Sequence, residues 1–362
     1  MGTMRISLCM IVRDEVEALP RCLESAAPLV DEILVVDTGS LDGTPAIARA
    51  AGARVLDFEW SEDFAAARNH GLENARGDWA LVLDADECVR EPRAARALLE
   101  AFAAASPGQA GQLLVHNLGP EESRALLTRF FPLAPQWRYA GRIHERVLCE
   151  GREPPRARTG LEIEHTGYQP QIVAARGKLE RNARLLEREL AEQPEDPYLW
   201  YQLGRTRAVA LEHVPALEAF ERALASCRED VPFAAHLIES SAYSLRALGR
   251  SRQALGWLSG ARLDPRRADS TFVLALLSMD CGELERAEQL FQNCLELEGT
   301  LPEGGESAPG ASSFAAAYNL GVMREVQSDA AGARRWYERA LQSNPRHAES
   351  LAGLERLARA GG

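Results

Sequence analysis

The chain lacks any long apolar run. Its N-terminal apolar stretch, Ile6 to Val12, spans seven residues, whereas a membrane span needs about 20. It runs into Arg13-Asp14-Glu15 without the pattern of a signal peptide, and nothing later approaches spanning length. A myristoylation site is also missing, because Ile6 stands where Ser or Thr is expected after Met1-Gly2. Cysteine is scarce and scattered: Cys9, Cys22, Cys88, Cys149, Cys227, Cys281 and Cys294 are odd in number and never form Cys-x-x-Cys. That usage argues against a zinc ribbon and suits a reducing cytosol. Positive charge is in deficit, with 41 basic against 53 acidic residues and a formal charge of -12, which would repel a phosphate backbone. These absences lead us to expect a soluble, cytoplasmic chain with no integral membrane segment and no nucleic-acid partner. Its 362 residues suffice for two domains with proper cores.

The first half alternates strand-like and helix-like pieces. The strand-like runs are "RISLCMIV", "EILVVD", "ARVLDF" and "WALVL"; helices are expected around Ala18 to Ala26, Thr44 to Ala51 and Phe64 to Asn74. This rhythm predicts a parallel sheet covered by helices, and the continuous apolar runs fit strands buried on both faces. In such sheets ligands bind beyond the carboxyl ends of the strands. Asp37 and Asp84 each end one of those strands.

From about Pro194 the texture becomes helical. An Ala-x-x-x-aromatic-x-x-small-apolar pattern recurs at Ala216/Phe220/Ala223/Leu224, Ala287/Phe291/Cys294/Leu295 and Ala333/Tyr337/Ala340/Leu341, with a weaker copy at Trp257/Gly260/Ala261. The aromatic steps of 37, 34 and 46 residues fit a 34-residue unit with two insertions, the longer one matching the Gly/Pro/Ser-rich segment 299–313. Pro265 and Pro345 mark helix stops. "YQLG" at Tyr201 to Gly204 and "YNLG" at Tyr318 to Gly321 each place a glycine sixteen residues before the aromatic. The region resembles tetratricopeptide repeats.

"LVLDADE", Leu81 to Glu87, ends an apolar run on three carboxylates. If the segment is extended, Asp84 and Asp86 face the same way about 7 Å apart, which suits a hard divalent cation such as magnesium or manganese. "LVVDTGSLDGT" from Leu34, "DFAAARNHGLENARGDWALVLDADE" from Asp63 and "ISLCMIVRDE" from Ile6 accompany it. Together these stretches resemble a family 2 glycosyltransferase of the GT-A fold, in the branch of lipopolysaccharide core transferases and peptide S-glycosyltransferases. The resemblance covers about residues 4 to 190.

That resemblance implies an α/β GT-A domain over residues 1–190, its last part a linking helix, and an all-α tetratricopeptide-repeat domain over 191–362. It implies a UDP-sugar donor, a divalent cation (Mn2+ or Mg2+) and inversion at the anomeric carbon. Asp37 would contact the base, while Asp84 and Asp86 match the family's Asp-x-Asp, Asp86 as direct metal ligand and Asp84 near the ribose or a metal-bound water. Arg68 and Asn69 would help hold the nucleotide sugar, and Arg13 and Asp14 stand where the family commonly has Lys or Tyr followed by Asn. Asp42 and Thr44 read better as a turn and a helix cap. In "YAGRIHERV" and "IEHTGY", Glu145 is the candidate base with His144 its rival, and His165 a candidate metal ligand. The acceptor would be a peptide, a lipopolysaccharide or another glycan, and the repeats would bind acceptor, a protein partner or a second copy. A nucleotidyltransferase would open with a Gly-rich loop and a Lys, which "MIVRDEVEAL" lacks. The remaining alternative is a repeat scaffold whose transferase half has lost activity.

Overall fold

The computed structural model of the chain describes residues 4–118, 123–165, 172–228, 231, 233–260, 267–297, 308 and 310–360. The chain divides into two compact units, one of residues 1–119 and 124–192, the other of residues 120–123 and 193–362.

The first unit is built on β1 (Ile6–Val12), β2 (Glu32–Asp37), β3 (Arg54–Asp57), β4 (Trp79–Val82), β5 (Glu87–Val89), β6 (Ala110–Asn117), β7 (Ser123–Pro132) and β10 (Arg156–His165). They form one eight-stranded sheet in the order β3-β2-β1-β4-β7-β6-β10-β5. A separate antiparallel ribbon joins β8 (Trp137–Ala140) to β9 (Arg146–Cys149). The parallel arrangement expected for the first four strands is present, and the later strands extend it into a mixed sheet. β1 to β4 are parallel to one another, but β7 runs antiparallel to β4 and β5 antiparallel to β10. The cause is connectivity: the tight turn after β4 and the strand-rich segment beyond residue 110 leave no crossover helix to restore direction.

Both faces of the central strands are buried, which is why they read as unbroken apolar runs. Leu8, Met10, Leu81 and Phe130 enter one core. The alternate residues Cys9, Ala80, Val82 and Phe131 enter another, as the two-residue side-chain period requires. Helices α1 (Leu19–Ala26), α2 (Thr44–Ala50), α3 (Phe64–Asn74) and α4 (Pro92–Ala105) cover the sheet, and α5 (Ile172–Glu192) ends the unit. Asp63 caps α3 by accepting the Ala66 amide at 2.8 Å.

The second unit is four helix pairs and a final helix: α6 (Pro197–Val209) with α7 (His213–Ser226), α8 (Ala234–Ala247) with α9 (Ser251–Gly260), α10 (Ala268–Asp280) with α11 (Leu284–Glu296), α12 (Phe314–Val326) with α13 (Ala330–Ser343), then α14 (Ala348–Ala360). The sixteen-residue spacing has a steric origin. A Cβ on Gly204 would meet the ring of Phe220, and one on Gly321 the ring of Tyr337, so the bare glycine lets the paired helices close. The turn within each pair carries one left-handed residue: Leu211, Gly249, Gly282 and Ser328, with φ of 63°, 71°, 81° and 62°.

Nine residues beyond those positions stand Phe220, Leu258, Phe291 and Tyr337, all buried. The weaker copy is therefore Ala254/Leu258, one residue later than the Trp257 assignment, and Trp257 is 42% exposed. The stop expected at Pro265 lies outside the described residues, as does most of segment 299–313. Pro345 follows the end of α13. Among the described residues no helix is long and apolar enough to cross a membrane.

Candidate active site

The loops after β1 and β2 are stitched together. Asp37, buried at the end of β2, accepts from the Gly39 and Ser40 amides at 3.3 and 3.1 Å and from Ser40 Oγ at 2.5 Å. Ser40 Oγ in turn accepts the Asp14 amide at 3.0 Å, and Asp14 Oδ1 accepts the Leu41 amide at 2.7 Å. Asp14 holds a left-handed φ of 55°, a strain that tends to sit at functional loops. Asp42 accepts the Thr44 amide at 2.9 Å, as the turn reading expects, but the cap assignment is corrected: the N-cap of the following helix is Gly43, without a side-chain cap bond, and Thr44 Oγ1 instead accepts the Glu15 amide at 2.7 Å. Arg13 is exposed beside Asp14, 3.9 Å away.

The two aspartates of the acidic motif do not form the extended, coplanar pair. Glu87 donates its amide to the Asp84 carbonyl at 3.0 Å, closing a β-turn whose corners are Ala85 and Asp86. The turn sends the two carboxylates to different partners, and this corrects Asp84 as an open metal or nucleotide ligand. Asp84 Oδ1 accepts from Arg68 Nη2 at 2.9 Å and its Oδ2 from Arg129 Nη2 at 2.6 Å. Burial alone would raise its pKa, but the two guanidiniums outweigh it and hold Asp84 well below the ordinary carboxylate range. Arg129 also donates to Glu87 Oε1 at 2.8 Å, and Glu87 Oε2 accepts the Asp84 amide at 2.8 Å. Glu87 is nearly inaccessible, and burial pushes its pKa up. One arginine thus fastens both ends of the turn.

Arg68 is committed in the same way. Its Nε donates to Glu145 Oε1 at 2.5 Å and its guanidinium lies over the Tyr139 ring, 5.4 Å from the centroid. Asn69 faces the neighbouring strand: its Nδ2 donates to the Tyr139 carbonyl at 2.9 Å and its Oδ1 accepts the Tyr139 amide at 2.8 Å. That engagement corrects Asn69 from a nucleotide-sugar contact to a clamp holding β8 against α3. The loop from Gly141 to Glu145 is pinned by Glu189 of α5, which accepts the Arg142 amide at 2.8 Å, and by the Phe64 amide donating to the Arg142 carbonyl at 2.9 Å. His144 within this loop has a left-handed φ of 53°.

Asp86 meets His165 across the sheet. His165 Nε2 lies 3.1 Å from Asp86 Oδ2, while Nδ1 lies 3.0 Å from Asn117 Oδ1. The pairing of β10 with β5 and β6 sets this, putting His165 opposite Glu87 and Asn117. The bond to Asp86 raises the histidine pKa above its ordinary value. Half-buried Glu15, at the end of β1, faces the same crevice. Burial and then the Asp86 charge raise its pKa, opposed by Lys178.

Four of these groups escaped sequence reasoning. Glu15 followed a motif whose first residues drew attention, Glu87 looked like surplus charge, and Asn117 ended an ordinary strand. Arg129 had one usable signal, a lone cation inside the apolar run "LLTRFFP", because a buried arginine requires carboxylate partners.

Residues 7–151 match the family model described as Glycosyl transferase family 2. A TPR repeat-containing protein of Synechococcus elongatus is 42% identical over 215 residues, which are 55% of this chain and 51% of that protein. The SPbeta prophage-derived glycosyltransferase SunS of Bacillus subtilis is 28% identical over 56% of this chain and 49% of its own length. The succinoglycan biosynthesis protein ExoO of Rhizobium meliloti is 25% identical over 60% of this chain and 67% of its own. The chain spans about half the length of the first two relatives.

Proposed function

From the match of residues 7–151 to the glycosyl transferase family 2 model, we propose that this chain is a metal-dependent, inverting glycosyltransferase. It moves a sugar from a UDP-sugar to a peptide, lipopolysaccharide or other glycan. The observation that carries the reading is the meeting of Asp86, in the turn after β4, and His165, at the carboxyl end of β10, 3.1 Å apart.

The Asp86 carboxylate suits Mn2+ or Mg2+, and a histidine beside it favours Mn2+ over the harder Mg2+; their side chains are 31% and 25% exposed, so a cation can reach them. Among the described residues no group of three or more His, Cys, Asp or Glu could hold a metal. That suits a cation whose remaining ligands are diphosphate oxygens and water. When bound, it would neutralise the leaving diphosphate as a Lewis acid.

The protein's own groups divide the remaining work. Asp37 braces the Thr38–Ser40 loop, and the two together hold the uracil, with Arg13 at the rim. Asp84, Arg68 and Arg129 fix the turn that presents Asp86, so Asp84 acts by positioning. Glu145, whose Oε1 is bound to Arg68, takes the acceptor proton, with His144 as the second group on that loop. The repeat unit binds the acceptor or a protein partner.

The test is calorimetric titration of UDP, with GDP, CDP and ADP as controls, with and without manganese, repeated on Asp86→Asn. Manganese-dependent binding selective for UDP and lost in the variant is the expected result. Binding of no nucleotide would overturn the reading and leave an inactive repeat scaffold.

A further inference from the structure

The last helix pair carries a feature that the transferase chemistry does not use. Arg324 at the end of α12, Asp329 at the start of α13, and Arg335, Trp336 and Arg339 along α13 line an open groove of about 540 Å³. Asp329 is occupied at the helix cap, accepting the Gly332 amide at 2.8 Å. Arg324 is bonded to Glu288. Arg335 and Arg339 are exposed and make no ion pair among the described residues. Trp336 packs one side against the core of Phe291 and Leu320 and keeps the other partly exposed, with the Arg339 guanidinium 5.5 Å from its centroid. On a helix, positions 335, 336 and 339 share one arc and Glu338 falls outside it. The groove therefore presents two guanidiniums that make no ion pair among the described residues beside a partly exposed indole, with the Asp329 carboxylate also in its lining, on a chain whose net charge is -12.

We infer that this groove docks an acidic peptide segment in extended conformation, with carboxylates at alternate positions. Arginines four apart on a helix stand about 6 Å from each other, and side chains two apart on an extended strand about 7 Å. A Glu-x-Glu segment thus places one carboxylate on each guanidinium, where planar, charge-assisted pairs form. Arg and Trp are also the residue types that dominate binding energy when anchored against a core. The acidic balance of the whole molecule disfavours a long polyanion at the same place, because the surrounding field repels it.

The experiment uses the full chain and a fluorescein-labelled octapeptide alternating glutamate with alanine, followed by anisotropy at low salt. The comparison peptide carries glutamine at the same positions. Saturable binding that weakens with salt and falls about tenfold in Arg335→Gln/Arg339→Gln is the expected result. Arg334→Gln, an equally exposed charge loss outside the arc, should leave affinity within about twofold, the scale of long-range screening. The inference is overturned if the glutamate peptide does not bind. Equal binding of the glutamine peptide, equal loss in Arg334→Gln, or displacement by inorganic phosphate at matched ionic strength would also overturn it, the last by exposing a general anion site. None of these outcomes depends on nucleotide or metal binding in the first unit.

Discussion

Replacing Arg129 by methionine tests the architecture of the acidic turn. Glu87 is 2% exposed, and among the described residues its salt-bridge partner is Arg129, at 2.8 Å. Removing one partner of a buried pair costs about 3–5 kcal/mol, because the other charge stays buried and uncompensated. The lost bond to Asp84 adds little, since that side chain is 37% exposed and keeps Arg68. Arg129→Met should therefore destabilise the first unit by about 3–5 kcal/mol at neutral pH. Adding Glu87→Gln should recover all but about 1 kcal/mol of that, the scale of a lost neutral hydrogen bond. The assay is urea denaturation, combined with hydrogen exchange of the β4 and β7 amides so that the response is assigned to this unit. A loss under about 1 kcal/mol, or a double variant no more stable than Arg129→Met, would refute the claim that one arginine neutralises the turn.

Other consequences are equally open to measurement. Leu211 occupies the left-handed position that Gly249 and Gly282 fill in sister repeats, so Leu211→Gly should stabilise the second unit by about 0.5–1 kcal/mol in thermal unfolding, the strain relieved less the entropy of glycine. Gly204→Ala should cost about 1–3 kcal/mol through overlap with the Phe220 ring, and Phe220→Leu in the same chain should relieve part of it. Glu325 is bonded to Arg356 at 2.9 and 3.1 Å and to Tyr337 Oη at 2.5 Å, and its pKa is lowered, first by the Arg356 bond. A lowered carboxylate stabilises the fold above its unfolded value near 4.5 and loses that contribution as pH falls through the folded value. Glu325→Gln should accordingly be less stable than the parent at pH 7 by about 1 kcal/mol, with the two melting curves converging in acid below the folded value.

What the sequence made legible follows from where side chains are constrained. The first four strands could be read because both faces are buried, so composition alone marks them. The repeats could be read because a glycine and an aromatic must meet at fixed spacing, and only the α9 copy, with Leu258 in place of the ring, slipped by one residue. The direction of β5 and β7 could not be read, since an apolar run is the same in either sense. The fate of Asp84 was hidden too. Its partners Arg68 and Arg129 come from sixteen residues upstream and 45 downstream, and no local pattern encodes such a meeting. One clue was present: Asp-Ala-Asp-Glu is rich in turn formers, which favours a turn there over an extended strand end.

The turn also explains why an acidic strand end is tolerable in the folded chain. Asp84, Glu87 and Glu145 surround Arg68 and Arg129, so three carboxyl groups share two guanidiniums. Burial opposes the charge on both arginines, and their carboxylate neighbours more than offset it, so both stay protonated. Asp86 stands outside this cluster with His165 as its partner, and Glu15 adds a further carboxylate to the crevice. An isolated pair of carboxylates at this depth would raise one another's pKa and take up a proton. The arginines prevent that for Asp84, whereas Asp86, 31% exposed, has no arginine partner among the described residues and a histidine within reach. Such an arrangement separates holding the turn from presenting a ligand. Arg129→Met should therefore weaken both stability and cation affinity, whereas Asp86→Asn should weaken cation affinity with little change in stability. Isothermal titration of manganese set beside the denaturation curves distinguishes the two, and equal effects of both substitutions on both readouts would show that the division of labour does not exist.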